Sequence, residues 1–98
     1  MTDELLRALA DPMRTRIVEL LAGEQLCVCH LVAETGATSS NLSNHLRLLR
    51  SVGAVEAEPA GRYTYYRLRP EVLDAVSAHY AALASRSRLA SAVKRPCA

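Results

Sequence analysis

Two cysteines separated by one residue, with a histidine directly after them, are the side chains of this sequence best suited to bind a soft ion. They lie in the segment LCVCHL at residues 26–31, and the one other cysteine of the 98 residues is Cys97. Thiolates prefer thiophilic ions to magnesium or calcium. Closely spaced cysteines can also be small core residues or disulfide partners, so the surrounding sequence must discriminate between these roles.

The composition is that of one small folded domain. Half of the residues are apolar and 22% are charged, which argues against disorder. No apolar run approaches the ~20 residues that span a bilayer, and the N-terminus lacks a signal-peptide pattern. We therefore expect a cytoplasmic protein with reduced thiols and no membrane partner. The odd cysteine count argues against a disulfide framework, and the spacing of Cys27 and Cys29 argues against a mutual disulfide.

Apolar spacing predicts three helices in the N-terminal third of the chain. The first starts at about residue 2. The second has Asp11 as its N-cap and Pro12 at its first position. A short third helix is expected from about Cys27 to Thr35, ended by Gly36. The closely spaced cysteines would then lie within the first turn of the third helix.

A fourth helix, a β-hairpin and a fifth helix complete the predicted order. Thr38 can cap the fourth helix, and Pro70 can open the fifth. Between these helices, β-prone runs at 54–59 and 64–69 flank the turn residues 60–62. The predicted fold is therefore mainly α with a β-hairpin, in the order α-α-α-α-β-β-α.

One domain over residues 1–86 accommodates these elements, followed by a flexible tail over 87–98 that carries Cys97. The last helix has an apolar stripe that suits either the core or an interface between subunits: Val72, Leu73, Val76, Tyr80 and Leu83.

Residues 26–51 have the pattern of a helix-turn-helix. The second helix begins with short polar side chains that would let it sink into the major groove of DNA: Ser39, Ser40, Asn41, Ser43 and Asn44. Such a cluster can also be a helix cap on a solvated face. A hairpin with Arg62 at its tip follows, however, and this favours a winged helix-turn-helix whose wing contacts the DNA backbone or minor groove.

Four segments between residues 5 and 69 resemble, in order, the metal-sensing ArsR/SmtB repressors: LRALADPMRTRIVELL, LCVCHLV, TSSNLSNHLRLLRSVGAV and GRYTYYRL. LCVCHL resembles the metal-binding box of the arsenic and cadmium/lead branches. The resemblance implies a homodimeric winged-helix repressor that binds operator DNA and leaves it when a metal binds. It also implies a dimer interface formed by the first and last helices.

The same resemblance implies DNA contacts at Ser39, Ser40, Ser43 and Asn44 of the fourth helix and at Arg62 of the wing. His45 matches a position that is usually histidine in the family. Its side chain is either a phosphate contact or a packed scaffold residue, and we favour the scaffold role.

Trivalent arsenic or antimony, as inducer, prefers three sulfur ligands. In the arsenic-sensing members that LCVCHL most resembles, a third cysteine can lie one turn further along the same helix, where this sequence has Val32. We therefore expect Cys97 to complete a site with Cys27 and Cys29, within one subunit or across the dimer. The alternative is that Cys97 is an incidental terminal thiol.

The spacing of Cys27 and Cys29 also suggests a switch. Residues i and i+2 lie about 200° apart on an ideal helix, so two sulfurs could share an ion only if the first turn unwound. Unwinding would disturb the helix that supports the fourth helix and would weaken DNA binding.

Three alternatives differ in what the thiols do. A Cd(II)/Pb(II) sensor could use His30 as a further ligand, although we expect His30 to lie exposed beside the cysteines. A thiol-redox regulator could form a disulfide between Cys27 and Cys97. An enzyme is excluded because no base is positioned to activate a nucleophile, and we expect neither an organic cofactor nor a small organic substrate.

Overall fold

A computed structural model describes residues 2–97 as five helices and one two-stranded sheet. The predicted order is confirmed. The elements are α1 (Thr2–Ala10), α2 (Pro12–Leu21), α3 (Val28–Thr35), α4 (Ser39–Ser51), β1 (Val55–Ala60), β2 (Tyr63–Leu68) and α5 (Pro70–Leu89).

The capping residues define where the central helices begin and end. The Asp11 carboxylate accepts a hydrogen bond from the Arg14 backbone N–H at 3.1 Å, and Pro12 occupies the first turn of α2. The Thr38 hydroxyl accepts one from the Asn41 backbone N–H at 3.1 Å and so caps α4. Gly36 ends α3 with a φ of 75°, in the left-handed region that favours glycine.

The hairpin is antiparallel, with Val55 opposite Leu68 and Ala60 opposite Tyr63. Gly61 and Arg62 form its two-residue turn, and Gly61 has a φ of 64°. The predicted strands are therefore confirmed to within one residue at each end, and Arg62 is exposed at the tip of the wing.

The core lies between the helix-turn-helix and the base of the wing. Its fully buried large side chains come from α2, α3 and one face of α4: Ile17, Leu31, Leu42, Leu46 and Leu49. Because α4 buries this apolar face, its short polar residues are directed away from the core. The hydrophobic core thus fixes which face of α4 is available to a partner.

The last helix, α5, buries none of its side chains completely. Val72, Leu73 and Val76 pack half-buried against the core, whereas Tyr80 is 54% exposed and Leu83 is 41% exposed. The helix continues to Leu89, beyond the domain boundary expected at residue 86. Among residues 2–97, no helix has both the length and the apolar character needed to cross a bilayer.

Candidate functional site

Cys27 precedes α3 instead of forming part of its first turn. It is the N-cap residue, with an extended backbone at φ −92° and ψ 171°, and helical geometry starts at Val28. The helical rotation of about 100° per residue therefore does not relate Cys27 to Cys29. The Cα atoms of the two cysteines are 5.5 Å apart and their sulfurs are in direct contact.

This geometry corrects two predictions about the cysteines. The expected misfit, in which the sulfurs could meet only if α3 unwound, is wrong because Cys27 lies outside the helix and its sulfur turns back over the first turn. The expectation that Cys27 and Cys29 are too close in sequence to pair is also wrong, since the structure brings their two sulfurs into direct contact. Both sulfurs are presented together while α3 is intact.

His30 completes the local arrangement by capping the helix that carries Cys29. Its Nδ1 accepts a hydrogen bond from the Cys27 backbone N–H at 3.1 Å and lies 3.2 Å from the Cys27 sulfur. Because a backbone N–H can only donate, Nδ1 is unprotonated and the ring proton of the neutral imidazole lies on Nε2. His30 is exposed, as expected, but it contacts the cysteines directly. Cys27 and His30 are three residues apart, which is the spacing of a capping box, and this spacing could have indicated their contact from the sequence.

The ligand atoms of Cys27, Cys29 and His30 all lie within 4.8 Å of one another. Two sulfurs and one imidazole nitrogen are soft to borderline donors, so this set suits a thiophilic ion. Cys27 is buried, whereas Cys29 and His30 are exposed. Within residues 2–97 this is the one cluster of three potential ligands, and the exposed Cys97 is not part of it. The structure of the single chain therefore does not bring Cys97 to the other two thiols.

The wing forms one side of this cluster. Cys27, Cys29 and His30 share an open pocket of about 210 Å³ with Tyr63 and Tyr65 of β2. The ring centroids of His30 and Tyr65 are 6.1 Å apart. No spacing in the sequence indicated that these tyrosines, more than 30 positions from the cysteines, would line the same pocket.

The polar start of α4 faces outward, as a DNA-contacting surface requires. Ser39, Ser40, Asn41 and Asn44 are exposed, and Ser43 is half-buried. The Asn44 side-chain oxygen accepts a hydrogen bond from the Arg47 guanidinium at 2.9 Å. Arg47, also exposed, adds a cation to this surface.

His45 points inward from α4 instead of outward. Its side chain is 17% exposed, and its Nδ1 accepts a hydrogen bond from the Arg14 guanidinium at 3.1 Å. Arg14 also donates through Nε to the Ala8 carbonyl at 2.5 Å, so this network joins α1, α2 and α4. The arrangement supports the scaffold role for His45.

Asp11 lies at the edge of the same network. The Arg14 backbone N–H, which donates to its carboxylate, is the main cause that lowers the pKa of Asp11 below 3.8, and the nearby charge of the Arg14 guanidinium acts in the same direction. Asp11 therefore remains ionised at neutral pH and holds the start of α2 in place.

Comparison with known proteins identifies the family. The family model described as "Bacterial regulatory protein, arsR family" matches residues 11–57. The chain is 43% identical over 79 residues to the HTH-type transcriptional repressor SmtB of Mycobacterium tuberculosis, which covers 76% of this chain. It spans 58% of that repressor's length, so the match concerns part of that protein.

Two solved structures extend the similarity along the chain. A possible transcriptional regulator for arsenical resistance has a TM-score of 0.76 and 33% identity, covering 94% of this chain and 98% of its own. The homodimeric winged helix-turn-helix DNA-binding domain of Mb0332 from Mycobacterium bovis has a TM-score of 0.72 and 26% identity, covering 97% and 87%. The predicted winged helix-turn-helix fold is thereby confirmed. The chain belongs to the ArsR family of bacterial regulatory proteins, which are DNA-binding transcriptional regulators and not enzymes.

Proposed function

We propose that this chain is a cytoplasmic, metalloid-responsive transcriptional repressor. It binds double-stranded operator DNA as a homodimer and is released when arsenite or antimonite binds cysteine thiolates. The observation that carries this proposal is the meeting of Cys27, Cys29 and His30 at the start of α3, directly before the helix that presents the polar surface. A soft-ion site next to a DNA-binding element is the arrangement that a metalloid sensor needs.

The DNA-binding part of the proposal rests on α4 and the wing. In this proposal the exposed side chains of Ser39, Ser40, Asn41 and Asn44, with Ser43 beside them, enter the major groove. The guanidinium of Arg62, at the tip of a hairpin, reaches the DNA backbone or minor groove. His45 contributes indirectly by holding α4 against α2.

The homodimer is proposed because α5 leaves apolar side chains uncovered. Tyr80 and Leu83 are each more than 40% exposed, although they continue the stripe that Val72 and Val76 bury against the core. A second copy of α5, with α1, would cover them, and the similar Mb0332 domain is homodimeric.

The ligand set is proposed as Cys27 and Cys29 with Cys97 as the third sulfur. Since Cys97 lies outside the cluster within one chain, we favour its contribution from the tail of the second subunit. Arsenite would react as As(OH)3: each thiol would form one As–S bond and replace one hydroxide, and the thiol proton would leave with that hydroxide as water.

Two observations favour other inducers for the same fold. The nitrogen of His30 beside the sulfurs suits a Cd(II) or Pb(II) sensor, because it adds a borderline donor without Cys97. The direct contact of the two sulfurs suits a thiol-redox regulator, in which an oxidant removes two electrons and two protons from Cys27 and Cys29.

Operator release distinguishes these inducers. A high-affinity duplex is first selected from a random DNA library with the full chain, and its binding is then titrated under reducing conditions. We expect release by arsenite or antimonite at lower concentrations than by cadmium or lead. A parallel titration with peroxide, without reductant, tests the redox alternative. Release by peroxide alone would exclude the metalloid function, and failure to select any duplex would exclude the DNA-binding function.

A further inference from the structure

We infer that the wing is part of the thiol site, and that Tyr65 is a positioning residue that transmits occupancy of the site to Arg62. This inference rests on the proposed function and deepens it, since it names the element through which an ion on Cys27 and Cys29 weakens DNA binding. Such a route is needed because α3 itself does not have to change. The two sulfurs meet without unwinding α3, so an ion does not have to distort that helix.

The first contact between the site and the wing is through the backbone. Leu26, the residue directly before Cys27, forms an isolated antiparallel bridge with Tyr66 of β2. The Leu26 N–H donates to the Tyr66 carbonyl at 3.2 Å, and the Tyr66 N–H donates to the Leu26 carbonyl at 2.8 Å. The segment that carries the Cys27 sulfur is therefore hydrogen-bonded to the same strand that begins next to Arg62.

The second contact is through side chains. Successive side chains of a strand alternate between its two faces, so Tyr63 and Tyr65 share one face while Tyr66 and Leu68 share the other. Tyr66 and Leu68 pack with the core, and this directs Tyr63 and Tyr65 to the face that meets the thiols. Tyr65 is half-buried beside His30, whereas Tyr63 is 57% exposed at the rim.

These two contacts respond differently when the pocket is filled. The backbone bridge ties Tyr66 to Leu26, whereas the Tyr65 ring lines the open pocket into which an ion on the two sulfurs would extend. A third ligand that reaches such an ion through this pocket, such as the Cys97 tail of the second subunit, would pass beside the ring of Tyr65 and would move it. Arg62 lies in the two-residue turn of the hairpin, and Tyr65 follows it by three residues in β2. Movement of the Tyr65 ring therefore changes where the wing presents the Arg62 guanidinium.

The test separates ion binding from its effect on DNA. Tyr65→Ala removes the ring, Tyr65→Phe keeps it, and Thr64→Ala is the control, since Thr64 is exposed on the same strand and does not line the pocket. Arsenite binding to each full-length variant is measured without DNA by native mass spectrometry and dithiol competition. The dissociation constant for the operator is then measured with arsenite and without it. The coupling factor is the first of these two constants divided by the second.

We expect Tyr65→Phe and Thr64→Ala to bind arsenite within about twofold of the parent chain, and Tyr65→Ala to bind it at least as tightly, because no ring then has to move. The coupling factor should fall by at least about tenfold in Tyr65→Ala, a change within the usual range of allosteric coupling, and stay unchanged in Tyr65→Phe and Thr64→Ala. Amide hydrogen exchange of the unsubstituted chain should also change at residues 61–66 on arsenite addition, so the inference can be judged even if Tyr65→Ala fails to fold.

Two outcomes overturn the inference alone. In the first, arsenite releases the parent chain and Tyr65→Ala shows the same coupling factor. In the second, arsenite binds without any change in hydrogen exchange over the wing. If the parent chain does not bind arsenite, or binds it and stays on the operator, the proposed function fails instead. The binding measurement without DNA therefore distinguishes the two failures.

Discussion

Arg14 donates a hydrogen bond to Nδ1 of His45 across 31 positions of the chain, at 3.1 Å. The bond joins the first turn of α2 to the middle of α4, so it fixes the helix that carries the polar surface. Because a guanidinium can only donate, His45 accepts as the neutral tautomer protonated on Nε2. A residue that lies among the predicted DNA contacts thus has a structural partner within its own chain.

Replacing either partner of this bond should destabilise the domain. We expect Arg14→Ala and His45→Ala each to lower the free energy of unfolding by about 1–2 kcal/mol, because each leaves a partly buried polar group without its partner. Urea denaturation of both single variants and the double variant measures the coupling between them. Strictly additive losses would show that the bond contributes nothing to stability.

Stability should depend on pH at the start of α2. The pKa of Asp11 is lowered, chiefly by the hydrogen bond from the Arg14 backbone N–H, so the folded state favours its ionised form. The stabilisation is therefore fully present above the ordinary pKa of 3.8 and is lost as the pH falls through the lower pKa of the folded state. Thermal unfolding from about pH 5 to about pH 2 measures this loss. Asp11→Asn, which can still cap the helix but cannot titrate, should lose less stability over the same interval. An equal loss of stability in the parent chain and in Asp11→Asn would contradict the role of Asp11.

The wing contact predicts a change in salt dependence. Arg62→Ala should weaken operator binding across sequences and should reduce the slope of log K against log salt by about 2, because each of the two wings of the proposed dimer loses one phosphate contact worth about 1. Fluorescence anisotropy at several salt concentrations measures both quantities. Arg16→Ala is the control, since Arg16 is an exposed arginine of α2 outside the proposed interface. If Arg62→Ala behaves like the control, the wing does not contact DNA.

The third ligand can be identified by comparing Cys97→Ser with His30→Ala. If Cys97 supplies the third sulfur, Cys97→Ser should weaken arsenite binding by at least about tenfold and His30→Ala should have little effect. X-ray absorption of the arsenite-loaded protein should then count three sulfurs per arsenic in the parent chain and two in Cys97→Ser. Unchanged binding and an unchanged sulfur count in Cys97→Ser would place Cys97 outside the site.

The sequence predicted the elements well because their ends are determined by local chemistry. Asp11, Thr38 and Gly36 each cap a helix through contacts within a few residues, and such contacts are visible as spacing. The position of the wing was also predicted, since Gly61 marks a tight turn between two β-prone runs.

The geometry of the thiol site was harder to predict for a definite reason. A one-residue shift in the start of α3, from Cys27 to Val28, changes the two sulfurs from opposite faces of a helix to direct contact. Cysteine is not among the residues usually expected at an N-cap, so propensity did not indicate this boundary. The approach of Tyr65 depends on the bridge between Leu26 and Tyr66, a tertiary contact that no local pattern encodes.

The N-cap position of Cys27 also implies an order of events. Cys27 is 4% exposed, whereas Cys29 is open to solvent one residue into the helix. In the reduced protein a solute therefore reaches Cys29 first, and the bond to Cys27 forms second, within the pocket. Brief treatment with iodoacetamide should accordingly label Cys29 before Cys27, as read by peptide mass spectrometry. Cys29 would then govern how fast the site captures its ligand.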